Sequence, residues 1–319
     1  MDRNSRVYVA GHKGLVGSAV LRKLKSLGYK DIITRTHKEM DLTKGDKIAE
    51  FFEKEGPEYV FLAAAKVGGI YANSTFPAEF IYENLMIQTN VIDLSYRYGV
   101  KKLLFLGGSC IYPKICKQPI KEEYLLTGPI EPTNEPFGIA KLAGLKMCQA
   151  YNRQYGTCFI SVIPANVYGI NDHFDENGHV LASLIKKFHE AKVNGSKGVT
   201  LWGTGRPKRE FFYVDDLAEA LVFLMDQYDG SEPMNVGTGF DTSIAELADL
   251  IKRIVAFKGD TEYDPTKPDG NPVRLLDTSR MNALGWKPKI SLEEGLRMTY
   301  EWYKDFHSSP NKGTSLSGV

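Results

Sequence analysis

An apolar run, Arg6-Val7-Tyr8-Val9-Ala10, leads straight into Gly11-His12-Lys13-Gly14-Leu15-Val16-Gly17 and then into an amphipathic stretch ending near Leu27. This order constrains the fold more than any other feature. A buried strand must turn sharply here, and the repeated glycines let backbone approach backbone where a side chain would not fit. The helix that follows offers unpaired N–H groups and the positive end of its dipole, a natural seat for a pyrophosphate. The segment Gly11 to Gly17, with His12, Lys13, Leu15 and Val16 between its glycines, is therefore expected to cradle a dinucleotide.

The same strand-then-helix rhythm continues. Strands are expected at Asp31–Thr34, Tyr59–Ala64, Lys102–Leu106 and Phe159–Ile163, with helices at Ile48–Lys54, Glu79–Tyr98 and Phe137–Tyr155. Apolar strands alternating with helices predict an α/β fold with a doubly wound parallel sheet. Beyond Tyr168 the pattern changes: a polar loop over Asn171–Gly178, a helix over Val180–Ala191, a strand at Val199–Trp202 and a helix beginning within Tyr213-Val214-Asp215-Asp216-Leu217. Met234-Asn235-Val236-Gly237 reads as a last strand of the main sheet. The expected organisation is a Rossmann domain over 1–170, whose sheet also receives parts of 211–240, and a smaller mixed α/β substrate lobe over most of 171–307. The Ser/Gly/Pro-rich tail 308–319 is expected to fray.

Composition narrows the function classes. With 43% hydrophobic and 25% charged residues, the 319-residue chain can bury a large core. A net charge of +1 supplies no field for nucleic acid or an anionic membrane. Apolar runs stay well short of the ~18 residues of a membrane span, and the N-terminus has no secretory pattern. Cys110, Cys116, Cys148 and Cys158 lack zinc-finger or CxxC spacing, which argues against a metal site or a disulfide framework and fits the cytoplasm. Cys148 and Cys158 sit in apolar patterns and read as packing residues.

The end of the second strand selects the dinucleotide. An acid there would accept from a ribose 2′-hydroxyl, but this chain has Thr34-Arg35-Thr36-His37-Lys38. Arg35 and His37 would attract a 2′-phosphate, so NADPH/NADP is the expected cofactor. Asp41 and Leu42 follow as an expected contact to the adenine edge.

The segment Phe105 to Lys141 carries the chemistry. It holds Leu106-Gly107-Gly108-Ser109-Cys110-Ile111-Tyr112-Pro113 and then Glu131-Pro132-Thr133-Asn134-Glu135-Pro136-Phe137-Gly138-Ile139-Ala140-Lys141. A lysine four residues after an aromatic ring resembles the Tyr-x-x-x-Lys pair of short-chain dehydrogenases, in which the ammonium lowers the phenol's pKa and the phenol protonates a carbonyl. Here the ring belongs to Phe137, which has no proton to give. Losing such an acid costs about 10²–10⁴ in rate.

These motifs, together with Ala63-Ala64-Ala65-Lys66-Val67-Gly68-Gly69-Ile70, Phe188-His189-Glu190-Ala191 and Lys267-Pro268-Asp269-Gly270, resemble the GDP-L-fucose synthase family of extended short-chain dehydrogenases across nearly the whole chain. The resemblance implies epimerisation at C3 and C5 of GDP-4-keto-6-deoxy-D-mannose, followed by reduction at C4. It assigns Cys110 and His179 to proton exchange, with a thiolate as one possible base, and a serine, a tyrosine and Lys141 to reduction. At the serine and tyrosine positions this chain carries Gly108 and Phe137, and Ser109 is expected to point elsewhere from an extension of the strand. Water or Tyr112 is then the substitute proton donor. Cofactor contacts are implied at Ala64, Leu106, Gly107, Lys141, Pro164, Ala165, Asn166, Val167 and His179. Lys187, Trp202, Arg209 and Asp269 are implied to hold the GDP-sugar. Alternative readings are an epimerase with little reductase activity, an enzyme for a related GDP-deoxysugar or heptose, an engineered variant, and a non-catalytic binder. A homodimer through the two long helices is expected by analogy.

Overall fold

The computed structural model describes residues 1–174, 179–267, 269 and 272–308. Residues 175–178 of the expected polar loop, Pro268 and Gly270 of the Lys267–Gly270 segment, and the tail from 309 lie outside the described residues.

The N-terminal half runs β1 (Val7–Ala10), α1 (Leu15–Ser26), β2 (Ile32–Ile33), α2 (Gly45–Glu55), β3 (Tyr59–Leu62), α3 (Ile70–Thr75), α4 (Pro77–Arg97) and β4 (Lys102–Leu106). It continues with α5 (Glu135–Tyr155), β5 (Phe159–Pro164) and β6 (Asn166–Tyr168). After these come α6 (Val180–Val193), β7 (Gly198–Trp202), β8 (Lys208–Arg209), β9 (Phe211–Tyr213), α7 (Val214–Gln227) and β10 (Met234–Val236). The chain then forms β11 (Thr242–Ser243), α8 (Ile244–Val255), β12 (Asp260–Asp264), β13 (Val273–Arg274), α9 (Ser279–Ala283) and α10 (Leu292–Ser308).

Six strands pair in parallel in the order β10-β5-β4-β3-β1-β2. Their near-continuous Val, Ile, Leu and Phe content follows from burial on both faces: β1, β4 and β5 are buried at every position. The chain leaves β1 for β2 on one side and returns past it to β3 on the other. This reversal opens a crevice at the carboxyl ends of β1 and β3. The 234–237 segment takes the expected edge position, with Val236 opposite Pro164.

A second hydrophobic cluster, including Tyr168, Phe188, Phe211, Leu247, Ile251 and Tyr300, lies beyond the main one. The small sheets β11-β8-β13 and β12-β7 belong to the later part of the chain. Ser243 caps α8 with a reciprocal Ser243–Glu246 box, the local signal that starts that helix. Later residues also fasten the loop after β4. Ile120 donates to Leu275 O at 2.7 Å, and the Asn235 amide donates to Ile120 O at 2.9 Å.

The long helices α4 and α5 pack against each other and set the position of Lys141. Gln88 donates to Ala140 O, and a Cβ added at Gly144 would come within 2.5 Å of Phe105 Cζ. Pro136 in its first turn starts α5 at Glu135, slightly earlier than expected. Alanine at a helical glycine ordinarily gains about 0.5–1 kcal/mol, but overpacking costs about 1–3 kcal/mol. Gly144→Ala is therefore expected to lower the urea midpoint without changing the slope; an unchanged or higher midpoint would show that α5 has room to move off β4.

Candidate active site

The glycine loop is built for close approach. A Cβ at Gly17 would fall 2.1 Å from Gly11 O, and one at Gly11, where φ is +81°, 2.7 Å from Ala64 N. Gly11 and Ala64 meet because β1 and β3 are neighbours at the sheet's reversal. Among the described residues His12 Nδ1 is buried without a hydrogen-bond partner, and burial lowers the pKa of its ring. A backbone cradle with an orphaned polar atom fits a bound pyrophosphate.

Arg35 is held in place rather than solvated. Its guanidinium donates to Glu55 at 2.6 Å and to Thr34 O at 2.8 Å, and lies 5.3 Å from the Phe51 ring centroid. His37 and Asp41 line a hollow of about 650 Å³ with Tyr82 and Glu83. The Asp41 carboxylate accepts from its own Thr43 N–H and hydroxyl, so it serves the turn before α2.

At the end of β4 the chain makes a 3₁₀ turn over Ser109–Ile111 instead of extending the strand. The expectation that Ser109 lies on a strand extension is corrected by this turn, which also places Cys110 beside α5: a Cβ at Gly138 would sit 3.1 Å from Cys110 O. Gly107 donates to Val162 O at 2.8 Å, with the backbones too close for a larger residue to enter easily. Gly108 differs. Its φ is −172°, and an added Cβ would meet only Cys110 Sγ, at an ordinary 3.5 Å.

Lys141 is 4% exposed and donates to Leu106 O at 2.9 Å. Its Nζ lies 5.0 Å from the Phe105 ring centroid and 5.8 Å from that of Phe137. Burial pulls its pKa down to about 8. Burial pushes the Cys110 thiol up to about 11, against the pull of Arg274 and Lys141. A thiolate at Cys110 would form against burial, with Arg274 and Lys141 as the charges that favour it. Tyr112 is excluded as a proton donor to the cleft. It is buried, and its hydroxyl donates to Asn235 Oδ1 at 2.7 Å.

Arg274 is the residue that sequence reasoning missed here. It donates to Ser109 O and, at 3.4 Å, to Pro113 O, and it pairs with Arg209 in the β8–β13 register. Nothing in its local sequence distinguishes it from an exposed strand arginine. Two guanidinium groups side by side suit a diphosphate. The other expected substrate residues form a more exposed group. Trp202 is 67% exposed, with Lys187 and Lys267 Nζ at 5.9 and 5.6 Å from its ring centroid. It is an open platform, not an interior wall. The Asp269 carboxylate accepts from Thr204 N at 2.8 Å and Thr204 Oγ1 at 2.7 Å.

Ala165 is buried and donates to Val236 O at 2.9 Å, while the Asn166 amide donates to Glu210 O at 3.0 Å. Pro164, at the end of β5, and Val167, in β6, flank them. His179 is the N-cap of α6, with Asp172 as its partner.

A sequence profile of the NAD dependent epimerase/dehydratase family matches residues 7–237. GDP-L-fucose synthase 1 of Arabidopsis thaliana is 56% identical over 303 residues, covering 95% of this chain and 94% of that protein. The crystal structure of a GDP-L-fucose synthetase from Naegleria fowleri bound to NADP superposes with a TM-score of 0.90 at 28% identity, covering 97% of each chain. A GDP-6-OMe-4-keto-L-xylo-heptose reductase from C. jejuni gives a TM-score of 0.91 at 40% identity, over 96% of this chain and 99% of that one.

The buried ammonium has a stability signature. Its pKa is about 8 in the fold against 10.5 for an ordinary lysine, so the unfolded chain binds the extra proton between these values and stability rises with pH across that window. Below the window the penalty is about 3 kcal/mol. Lys141→Met is expected to be more stable than the parent at pH 7 and to lose the gain between pH 8 and 10.5. Urea midpoints at both ends of the window check this; equal midpoints would show that the ammonium is well solvated.

Proposed function

From the premise that this chain belongs to the GDP-L-fucose synthase branch of the NAD dependent epimerase/dehydratase family, we propose that it binds NADPH and GDP-4-keto-6-deoxy-D-mannose, epimerises C3 and C5, and reduces C4 to give GDP-L-fucose. Epimerisation is the half for which its site is best equipped. The observation that carries this reading is an asymmetry. Cys110 and His179 each have charged groups beside them, whereas Lys141 faces two phenyl rings.

Gly11, Gly14 and Gly17 would seat the pyrophosphate, Arg35 and His37 the 2′-phosphate, and Lys141 the nicotinamide ribose. The bound cofactor would supply hydride to C4. Lys187, Arg209 and Trp202 would hold the GDP moiety, with Asp269 fixing the Thr204 loop beside it.

For proton exchange the site offers the Cys110 thiol, whose pKa burial raises, and the His179 imidazole, whose pKa Asp172 raises. The imidazole of His179 would remove a carbon-bound proton, and the Cys110 thiol would return one on the other face. Each group then changes charge beside a stabilising partner: the thiolate forms near Arg274 and Lys141, and the imidazolium forms beside Asp172.

Reduction needs a proton for the new alkoxide. Phe137 keeps the ring and lacks the hydroxyl, and Gly108 removes a second hydroxyl from the neighbourhood. The specific second reading, an epimerase with little reductase activity, rests on these two residues. A cytoplasmic homodimer through α4 and α5 completes the proposal, supported by the exposed Tyr82, Ile139 and Tyr155; light scattering that returns a monomer at working concentration would sink that part.

The deciding test follows NADPH absorbance and deuterium incorporation together, with the keto-sugar in D₂O. Phe137→Tyr is expected to raise NADPH oxidation by about 10²-fold or more, with deuterium uptake unchanged. Adding Gly108→Ser, which the open space at that position tolerates, is expected to raise it further. A parent that already oxidises NADPH as fast as the Tyr variant would mean that another group delivers the proton. A parent that incorporates no deuterium would remove the epimerase assignment.

A further inference from the structure

The turn after β6 is shaped by two positions with positive φ, Gly169 at +148° and Asn171 at +69°. A Cβ at Gly169 would fall 2.6 Å from Val214 Cγ1, so the chain can pass α7 only as glycine. Asp172 N closes the turn on Gly169 O at 3.2 Å, and the Asn171 amide donates to Ser18 Oγ at 3.0 Å, which ties the loop to α1 just beyond the glycine cradle.

This turn buries a carboxylate. Asp172 is 2% exposed; Oδ1 accepts from His173 N at 2.8 Å and lies 3.5 Å from His179 Nδ1, while Oδ2 has no partner among the described residues. Burying a carboxylate with an unsatisfied oxygen is costly, and a turn alone does not require it: an asparagine would accept the His173 N–H equally well. The arrangement gains its purpose from the imidazole. A carboxylate at Nδ1 fixes the Nδ1–H tautomer and leaves Nε2 as the nitrogen that accepts a proton.

We propose that Asp172 is a positioning residue for His179, holding the ring as an Nε2 base and stabilising the imidazolium formed when the sugar C–H proton is taken. The proposal rests on the epimerase reading above. Among the described residues, the charge acting on His179 is that of Asp172, which raises the ring's pKa by hydrogen bond and by Coulomb attraction while burial works in the opposite direction. Removing the carboxylate must therefore lower that pKa. The base would be available from a lower pH but would be weaker, and its protonated form would lose its counter-charge.

The test uses the full-length chain with ¹⁵N-labelled histidine, the His179 resonances being assigned from the loss of signals in His179→Gln. In the parent, neutral His179 is expected as the Nδ1–H tautomer; an Nε2–H tautomer would overturn the proposal without any variant of Asp172. In Asp172→Asn the His179 titration is expected to move to lower pH. The acidic limb of deuterium incorporation should move with it, and the plateau rate should fall by about tenfold or more, less than the ~10²–10⁴ of losing the base itself. A shifted melting temperature with an unmoved titration and an unmoved pH profile would make Asp172 merely structural. In a His179→Gln background, Asp172→Asn is expected to cost nothing further in exchange rate, and an additive loss would overturn the proposal. Titration and tautomer need no substrate. They test the pairing separately from the reaction, whose own failure would appear as absent exchange in the parent.

Discussion

Everything in this site depends on backbone meeting backbone where the parallel sheet reverses between β1 and β3. Gly11 lies against Ala64, and Gly17 against Gly11, with no space for a side chain at either contact. That approach lets α1 start directly at the mouth of the crevice, so its unpaired N–H groups face the cofactor. The same crevice receives the end of β4, because β4 is the next strand beyond β3. The 3₁₀ turn with Cys110 and the first turn of α5 are therefore delivered to the edge of that crevice by sheet order alone.

Charge is arranged around that edge at a cost in stability. Lys141 is buried beside a carbonyl and two rings, and burial depresses its pKa to about 8. Arg274 enters from a distant part of the chain, under the Ser109–Pro113 turn. Asp172 is buried with one oxygen unsatisfied. Isolated buried charges disfavour the folded state, and such groups concentrate where a reaction changes charge. Here they flank Cys110 and His179. In the proposed reaction the positions that would donate a proton at C4 carry Gly108 and Phe137, so the chain would keep the electrostatics of proton exchange and lack two hydroxyls for reduction.

Much of this was legible in the chain itself. Period and composition indicated α4, α5 and the sheet strands to within a few residues, because parallel strands buried on both faces must be apolar along their whole length. The Arg35–His37 cluster and the Phe137–Lys141 spacing stood out because their chemistry depends on residue type at short range. The turn at Ser109–Ile111 was misjudged as a strand extension, since a short segment with glycine and serine carries no periodicity. Tyr112 drew attention as a donor because Cys110 lies two residues before it, yet its hydroxyl points to Asn235, which comes from the far edge of the sheet.

The amino-acid sequence alone determined the fold class and the absence of a phenol at position 137, since each follows from residue type and local spacing. Only the tertiary structure decided which charges meet. Arg274 reaches Ser109 through strand pairing between distant segments, and Asp172 reaches His179 through a turn set by Gly169 against Val214. Electrostatic coupling depends on distance and burial, not on separation along the chain. The pKa of Lys141, the raised pKa of Cys110 and the orientation of His179 are therefore properties of the packed molecule.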